Sequence, residues 1–210
     1  MLPRILLTSF VVLIGFVNLP PAGRPADPFG GDTIIVSEGP LVEIWRTVRE
    51  QFVHDRILVN SCVDDEIYDC EPALKLLKIV AEAREYQDKA LIGHINRSIN
   101  LLLKPVPGNW SSALDTVRLG TGDCKAYSIA KYLALRQSGV PRGNVRVVIV
   151  RNRPRQEDHM IVAVYQNDRW LVLDEPTMLL LQDWQEQNYV PLFVLDDLGV
   201  RRYTAPVPVS

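Results

Sequence analysis

Gly122-Asp123-Cys124-Lys125-Ala126-Tyr127-Ser128-Ile129-Ala130-Lys131-Tyr132-Leu133-Ala134-Leu135 is followed closely by Gly139 and Pro141. Ile129, Ala130 and Leu133 recur at helical spacing, Gly139 suits a C-terminal cap and Pro141 cannot continue a helix. The run therefore predicts a helix from about Cys124 to Ser138, with Cys124 in its first turn. A helix N-terminus with an imidazole nearby lowers a thiol pKa from ~8.5, and the thiolate is the nucleophilic form.

Downstream, Val145 to Val150, Met160 to Tyr165 and Trp170 to Leu173 are β-branched-rich runs and read as strands of a mostly antiparallel sheet. His159 immediately precedes the second run and Asp174 immediately follows the third. Gln166, Asn167 and Asp168 supply the turn, so the two runs form a hairpin. A turn on Gln166-Asn167 sets His159 directly across from Asp174. One on Asn167-Asp168 makes them diagonal neighbours on the same face. Direct pairs have Cβ atoms about 5 Å apart and diagonal ones about 7 Å, so both registers let the carboxylate reach the ring, whereas a one-residue slip parts them.

Cys124, His159 and Asp174 thus read as nucleophile, base and orienter. Asp174 holds the imidazole tautomer, His159 deprotonates Cys124 and later protonates a leaving amine, and backbone N–H groups at the helix start receive the oxyanion.

Upstream, Leu41, Ile44, Trp45, Val48 and Phe52 mark one helix. Leu74, Leu77, Ile79 and Val80 mark a second that runs toward Tyr86. Leu91, Ile95, Ile99 and Leu102 mark a third over Asp88 to Leu103, ended by Pro105 and Pro107. Gly108, Asn109 and Trp110 open a loop that runs to Thr121. The fold class expected is α+β, with N-terminal helices packed on a mostly antiparallel sheet in a single domain over residues 41–205. Residues 27–40, rich in Gly, Pro and Asp, read as a flexible leader.

Residues 1–26 read as a secretory signal: Arg4 precedes an apolar run from Ile5 to Val17, followed by Pro20, Pro21, Ala22 and Gly23. Cleavage is expected near Ala22 or Ala26, the alternative being an uncleaved signal-anchor; the run is shorter than the ~20 residues of a full span. Export points to the periplasm, an oxidising compartment in which Cys62 and Cys70 are expected to pair while Cys124 stays free. The 210 residues carry a formal net charge of -2 and no basic tract, which argues against nucleic acid as a partner.

Asp64, Asp65 and Glu66, and again Asp196 and Asp197, lack the spacing of a calcium loop and read as solvated acidic turns. His54 and His94 lack a second ligand at helical spacing. No P-loop or dinucleotide fingerprint is present.

From about Ala90 to Asp174 the sequence resembles the bacterial transglutaminase-like cysteine proteinases, which include LapG-type periplasmic proteases. The resemblance rests on Asn96-Arg97-Ser98-Ile99-Asn100, Gly122-Asp123-Cys124, Tyr127 to Lys131, Leu135, Gly139-Val140-Pro141, Asp158-His159-Met160 and Val172-Leu173-Asp174. It implies a papain-like, transglutaminase-core fold and a Cys-His-Asp triad at Cys124, His159 and Asp174. It also offers Asn96 and Asn100 as oxyanion donors, because the family places asparagines in that helix.

The implied activity is hydrolysis of amide bonds in a protein substrate, a cell-surface adhesin by analogy, with a membrane receptor controlling access. Amide transfer through the same thioester, and a catalytically idle peptide-binding module, are the competing readings. The family's calcium-associated acids after the cysteine are replaced here by Lys125 and Ala126, leaving Asp123 as the residual ligand. No cofactor is expected, and calcium dependence at this site is expected to be weak or absent.

Overall fold

The computed structural model describes residues 24–64, 70–108, 110–175 and 177–204. Residues 1–23, which hold the signal-type run, Asp65 and Glu66 of the first acidic turn, and Asn109 lie outside the described residues. Five helices precede or flank the sheet: α1 (Pro40–Asp64), α2 (Glu71–Arg84), α3 (Asp88–Leu102), α4 (Ala113–Leu119) and α5 (Cys124–Gln137). The strands are β1 (Thr33–Val36), β2 (Lys104–Pro105), β3 (Thr121–Gly122), β4 (Val145–Asn152), β5 (Glu157–Gln166), β6 (Arg169–Leu173), β7 (Leu181–Gln182), β8 (Tyr189–Asp196) and β9 (Gly199–Tyr203).

Seven of them form one antiparallel sheet in the order β1-β9-β8-β4-β5-β6-β7, while β2 and β3 form a separate parallel pair. Helices on a mostly antiparallel sheet are the α+β arrangement expected from the sequence.

Helix α5 is the centre of the fold. Every residue from Ala126 to Leu135 is buried, because the helix packs against β4 and β5 on one side and against α2, α3 and α4 on the others. A helix buried on every side in this way gains its stability from the apolar surface it removes from water. The helices α1, α2 and α3 present Trp45, Val48, Leu76, Ile92, Ile95 and Ile99 to the same core. Two details of the inner faces differ from the sequence pattern. Leu74 is exposed on α2, whose buried stripe is instead Ala73, Leu76, Ile79, Val80 and Ala83. The stretch read as a loop to Thr121 contains α4, capped by Ser112 Oγ, which accepts from the Asp115 N–H at 3.1 Å, and closed by Gly120 in the left-handed conformation. Buried Asp55 of α1 also accepts the Ala113 and Leu114 N–H groups, at 2.9 and 3.2 Å. A side chain 58 residues away thus satisfies this helix start.

The hairpin turn is centred on Asn167 and Asp168, both at positive φ, with Gln166 opposite Arg169 and Val162 opposite Leu173. Positive φ at both central residues gives a turn whose twist matches that of the strands, and Asn and Asp tolerate it. Of the two registers open to the sequence, this is the one that makes His159 and Asp174 diagonal neighbours.

Residues 27–40 are not a flexible leader. Strand β1 pairs with β9, and the residues before it run across the face of the sheet away from the helices. There Phe29 packs against a second apolar cluster of Val148, Val150, Ile161, Trp170 and Val194. Trp170 Nε1 donates to the Ala26 carbonyl at 2.9 Å and Tyr203 Oη to the Pro28 carbonyl at 2.5 Å. The strap is tied to the sheet by charge. Asp27 accepts from Arg201 at 2.8 Å and lies 3.2 Å from Arg146, and Asp196 lies 2.8 Å from Arg201, 3.0 Å from Arg146 and 2.5 Å from Arg24.

Asp196 is therefore no solvated turn residue: it is fully buried, and its charge is met by three guanidinium groups. The Pro/Gly/Asp composition that resembles a linker is here the composition of a strap, because its aspartate has buried partners distant in sequence.

Cys62, near the end of α1, and Cys70, the N-cap of α2, form a disulfide, and Cys124 is the free cysteine.

Although burial favours the neutral acids, their arginine partners hold both Asp27 and Asp196 below the ordinary carboxylate range. A depressed native pKa contributes stability that is present above about pH 4 and is lost as pH falls through the native value, so this cluster makes the fold acid-sensitive. Asp196→Ala leaves Arg146 and Arg201 buried without that partner and is expected to cost about 3–5 kcal/mol, read as a lower urea midpoint at pH 7. A midpoint unchanged by the substitution would show that the cluster is not holding the strap.

Candidate active site

The start of α5 is fixed from both sides. Gly120 and Gly122 carbonyls accept from the Lys104 and Val106 N–H groups at 2.9 Å each, which pins the chain just before the helix. A Cβ at Gly122 would stand 2.5 Å from the Ala126 Cβ, so only glycine lets this strand lie against the first turn. Asp123 is the N-cap: its Oδ1 accepts from the Lys125 and Ala126 N–H groups at 3.0 and 3.2 Å, and its Oδ2 pairs with the Lys125 ammonium. Cys124 follows as the first helical residue, partly exposed.

One turn further on, Ser128 Oγ donates to the Met160 carbonyl at 3.0 Å, which ties the helix to the strand position next to His159. His159 and Asp174 are both buried, and His159 Nε2 lies 2.6 Å from Asp174 Oδ1. The Cys124 thiol also acts on this ring, through a side-chain hydrogen-bonding interaction and through its charge. The structure thus brings all three sequence-predicted residues together in the order thiol, imidazole, carboxylate. Burial works against a charged ring, but hydrogen bonds to Asp174 and Cys124 and the charges of both outweigh it and raise the His159 pKa to about 10. For Asp174, burial favours the neutral acid, but His159, Tyr189 and the Glu175 N–H hold the carboxyl below its usual range.

Asp174 is held on every side. Its Oδ1 also accepts the Glu175 N–H at 2.7 Å, and Oδ2 accepts Tyr189 Oη at 2.6 Å. The Tyr189 ring lies 5.7 Å from that of His159. Sequence reading missed Tyr189, because it sits on β8, a strand interrupted by Pro191 next to a register shift and so not legible by alternation.

Asn96 and Asn100, offered by the resemblance as oxyanion donors, bond backbone carbonyls after β6. Asn100 Nδ2 donates to the carbonyls of Asp174 and Thr177 at 2.8 and 2.9 Å, and Asn96 Nδ2 donates to Thr177 at 3.0 Å. Both side chains thus clamp the backbone from Asp174 to Thr177. Lys131, two turns after Cys124 on α5, is buried beside the Tyr127 ring at 5.9 Å. Burial lowers its pKa to about 7, while Asp174 and Glu175 pull it back upward.

Comparison with known proteins bears on the fold and the family. The fold is similar to that of calcium-bound Legionella pneumophila LapG, with 18% identity, a TM-score of 0.60, and coverage of 76% of this chain and 91% of that one. A second structure of L. pneumophila LapG gives 16% identity and a TM-score of 0.58 over 76% and 88% of the two chains. A comparison with curated proteins gives no match. The sequence matches the bacterial transglutaminase-like cysteine proteinases over residues 59–194. The chain belongs to that family and is a cysteine peptidase.

The raised His159 pKa has a defined sign. The ring binds its proton more tightly in the native state, so the stabilisation is fully present below about pH 6.5 and is lost as pH rises through about 10. In NMR titration of the imidazole, the native ring is expected to stay protonated through neutral pH. Asp174→Ala should move its titration down toward ~6.5, and Tyr189→Phe should move it part of the way. A ring that titrates near 6.5 in the unmodified protein would refute this electrostatic account.

Proposed function

We propose that this chain is an exported peptidase that hydrolyses amide bonds in a protein substrate through Cys124, His159 and Asp174. The observation that carries the reading is the single chain of contacts from thiol to imidazole to a 2.6 Å carboxylate, starting at a helix N-terminus. Cys124 Sγ attacks the scissile carbonyl carbon as a thiolate, its proton resting on His159. The tetrahedral oxyanion collapses to a thioester as His159 protonates the leaving amine. Water, deprotonated by His159, then adds to the thioester and releases the acid and Cys124.

The Lys125 and Ala126 N–H groups are engaged by Asp123, and the Tyr127 N–H by the Asp123 carbonyl, so the Cys124 N–H is the first-turn amide these bonds leave for the oxyanion. Tyr189 and Asn100 act as positioning residues by bonding Asp174 itself, and Asn96 joins Asn100 in holding the Thr177 carbonyl three residues on.

Export is supported by the signal-type run at residues 5–17 and by the Cys62–Cys70 disulfide, which suits the periplasm. The family resemblance makes a cell-surface adhesin, with access governed by a membrane receptor, the first substrate system to test.

The residues beside the nucleophile do not fit calcium. Asp123 spends one oxygen on the helix cap and the other on Lys125, and the following side chains are a cation and a methyl group. Calcium takes 6–8 oxygen ligands, usually with several carboxylates. The reading is therefore of calcium-independent hydrolysis.

Cys124→Ala is expected to abolish peptide-bond cleavage with an unchanged urea midpoint. His159→Ala should slow alkylation of Cys124 at pH 7 by about tenfold or more, since the thiolate loses its partner. Surviving cleavage in Cys124→Ala would remove the nucleophile assignment. Activity in excess chelator is expected to match that with added calcium; strong activation by calcium would overturn that part of the reading.

A further inference from the structure

At the other end of α5, about 18 Å along the helix from Cys124 at 1.5 Å per residue, α1 and α5 border a cavity of about 400 Å³. Its floor is aromatic: Phe52 and Tyr132 stack at 4.9 Å. Its walls are basic. Arg46, Arg49 and Arg56 of α1, spaced three and seven residues apart with Val53 between, line one side, and Arg136 and Arg142 line the other. Two carboxylates also border it, and both are already engaged, Glu50 by Arg46 at 3.5 Å and Asp197 by Arg24 at 3.0 Å. Arg136 donates to the Val140 carbonyl. Arg49, Arg56 and Arg142 have no carboxylate partner among the described residues, and all three are exposed. In a chain whose formal net charge is -2, this concentration of uncompensated guanidinium groups in one cleft calls for an anionic ligand.

The spacing identifies what kind of anion fits. From Arg49 to Arg56, the two arginines of α1 left without a carboxylate among the described residues, the helix rises about 10 Å, the length of about three residues of extended chain. A single phosphate would be met by guanidinium groups converging on one point. A row of them matches carboxylates repeated along a peptide, each open to bidentate pairing.

We infer that the cleft between α1 and the C-terminal end of α5 is an exosite that docks an acidic, extended segment of the protein substrate, remote from the bond that is cut. This rests on the peptidase reading above for the identity of the partner, and it adds the chemical character of that partner. Binding at such a site raises the local concentration of the substrate at Cys124 without touching the chemistry.

The experiment is fluorescence anisotropy of a labelled deca-glutamate peptide against the full chain in 50 and 200 mM salt, with deca-lysine as control. The glutamate peptide is expected to bind, with affinity falling as salt rises, and the lysine peptide is not. Arg49→Glu with Arg56→Glu should weaken binding by about tenfold or more, and Arg142→Glu, on a different segment, should weaken it independently. The urea midpoint and the alkylation rate of Cys124 serve as fold and site controls; Arg49→Gln replaces the double variant if that protein is unfolded.

Equal binding by the native chain and the arginine variants overturns the proposal. So does displacement of the peptide by an equimolar amount of inorganic pyrophosphate, which would make the cleft a small-anion site. Failure of the peptidase reading appears elsewhere, as a Cys124 that alkylates no faster than an ordinary thiol while the glutamate peptide still binds.

Discussion

Burial of α5 along ten consecutive residues fixes the distance between its first residue and the strand that carries His159. A buried helix packed on a sheet cannot slide without opening cavities, and each lost methylene there costs on the order of 1 kcal/mol. Ser128, bonded to the carbonyl of Met160, sets the helix's position along β5 at the residue next to His159. The thiol is thereby presented to the imidazole by packing, while the Asp123 cap leaves the helix start open only at the Cys124 end.

Charge is concentrated where the chain must be immobile. Asp174 has two carboxylate oxygens and a carbonyl, and His159, Tyr189, the Glu175 amide and Asn100 engage all three. An acid so fully satisfied stays ionised despite burial and keeps its partner ring protonated. The cluster of Asp27, Asp196, Arg146 and Arg201 does a different task on the opposite face, where it locks the strap of residues 24–32 over the second apolar cluster. One network fixes the imidazole of the candidate site, and the other closes a core.

Much of the layout was legible from the chain. The three first helices, α5 with Cys124 in its first turn, and the strands at Val145, Met160 and Trp170 follow from apolar periodicity and from Gly and Pro punctuation. What escaped has identifiable physical causes. Helix α4 is only seven residues long and borrows Asp55 from α1 to satisfy its start. Strand β8 is broken by a proline, and β1 exposes Ile34 and Ile35 at the sheet edge, so neither shows clean alternation. Asp196 looked like a turn acid because burial of a charge depends on partners, and its arginines lie on β4, on β9 and in the strap.

The sequence by itself singled out Cys124, His159 and Asp174 as the candidate trio, since residue type, a helix start and two strand ends are local properties. It also narrowed the hairpin to two registers compatible with contact between His159 and Asp174. Only the tertiary structure decided between them, through positive φ at Asn167 and Asp168. It alone joined Asn96 and Asn100 to the carbonyls of Asp174 and Thr177, and it alone brought Tyr189 to the carboxylate. These are contacts between groups 15 to 81 residues apart, set by how layers stack, and no local pattern in the chain encodes the direction of a side chain across such a gap.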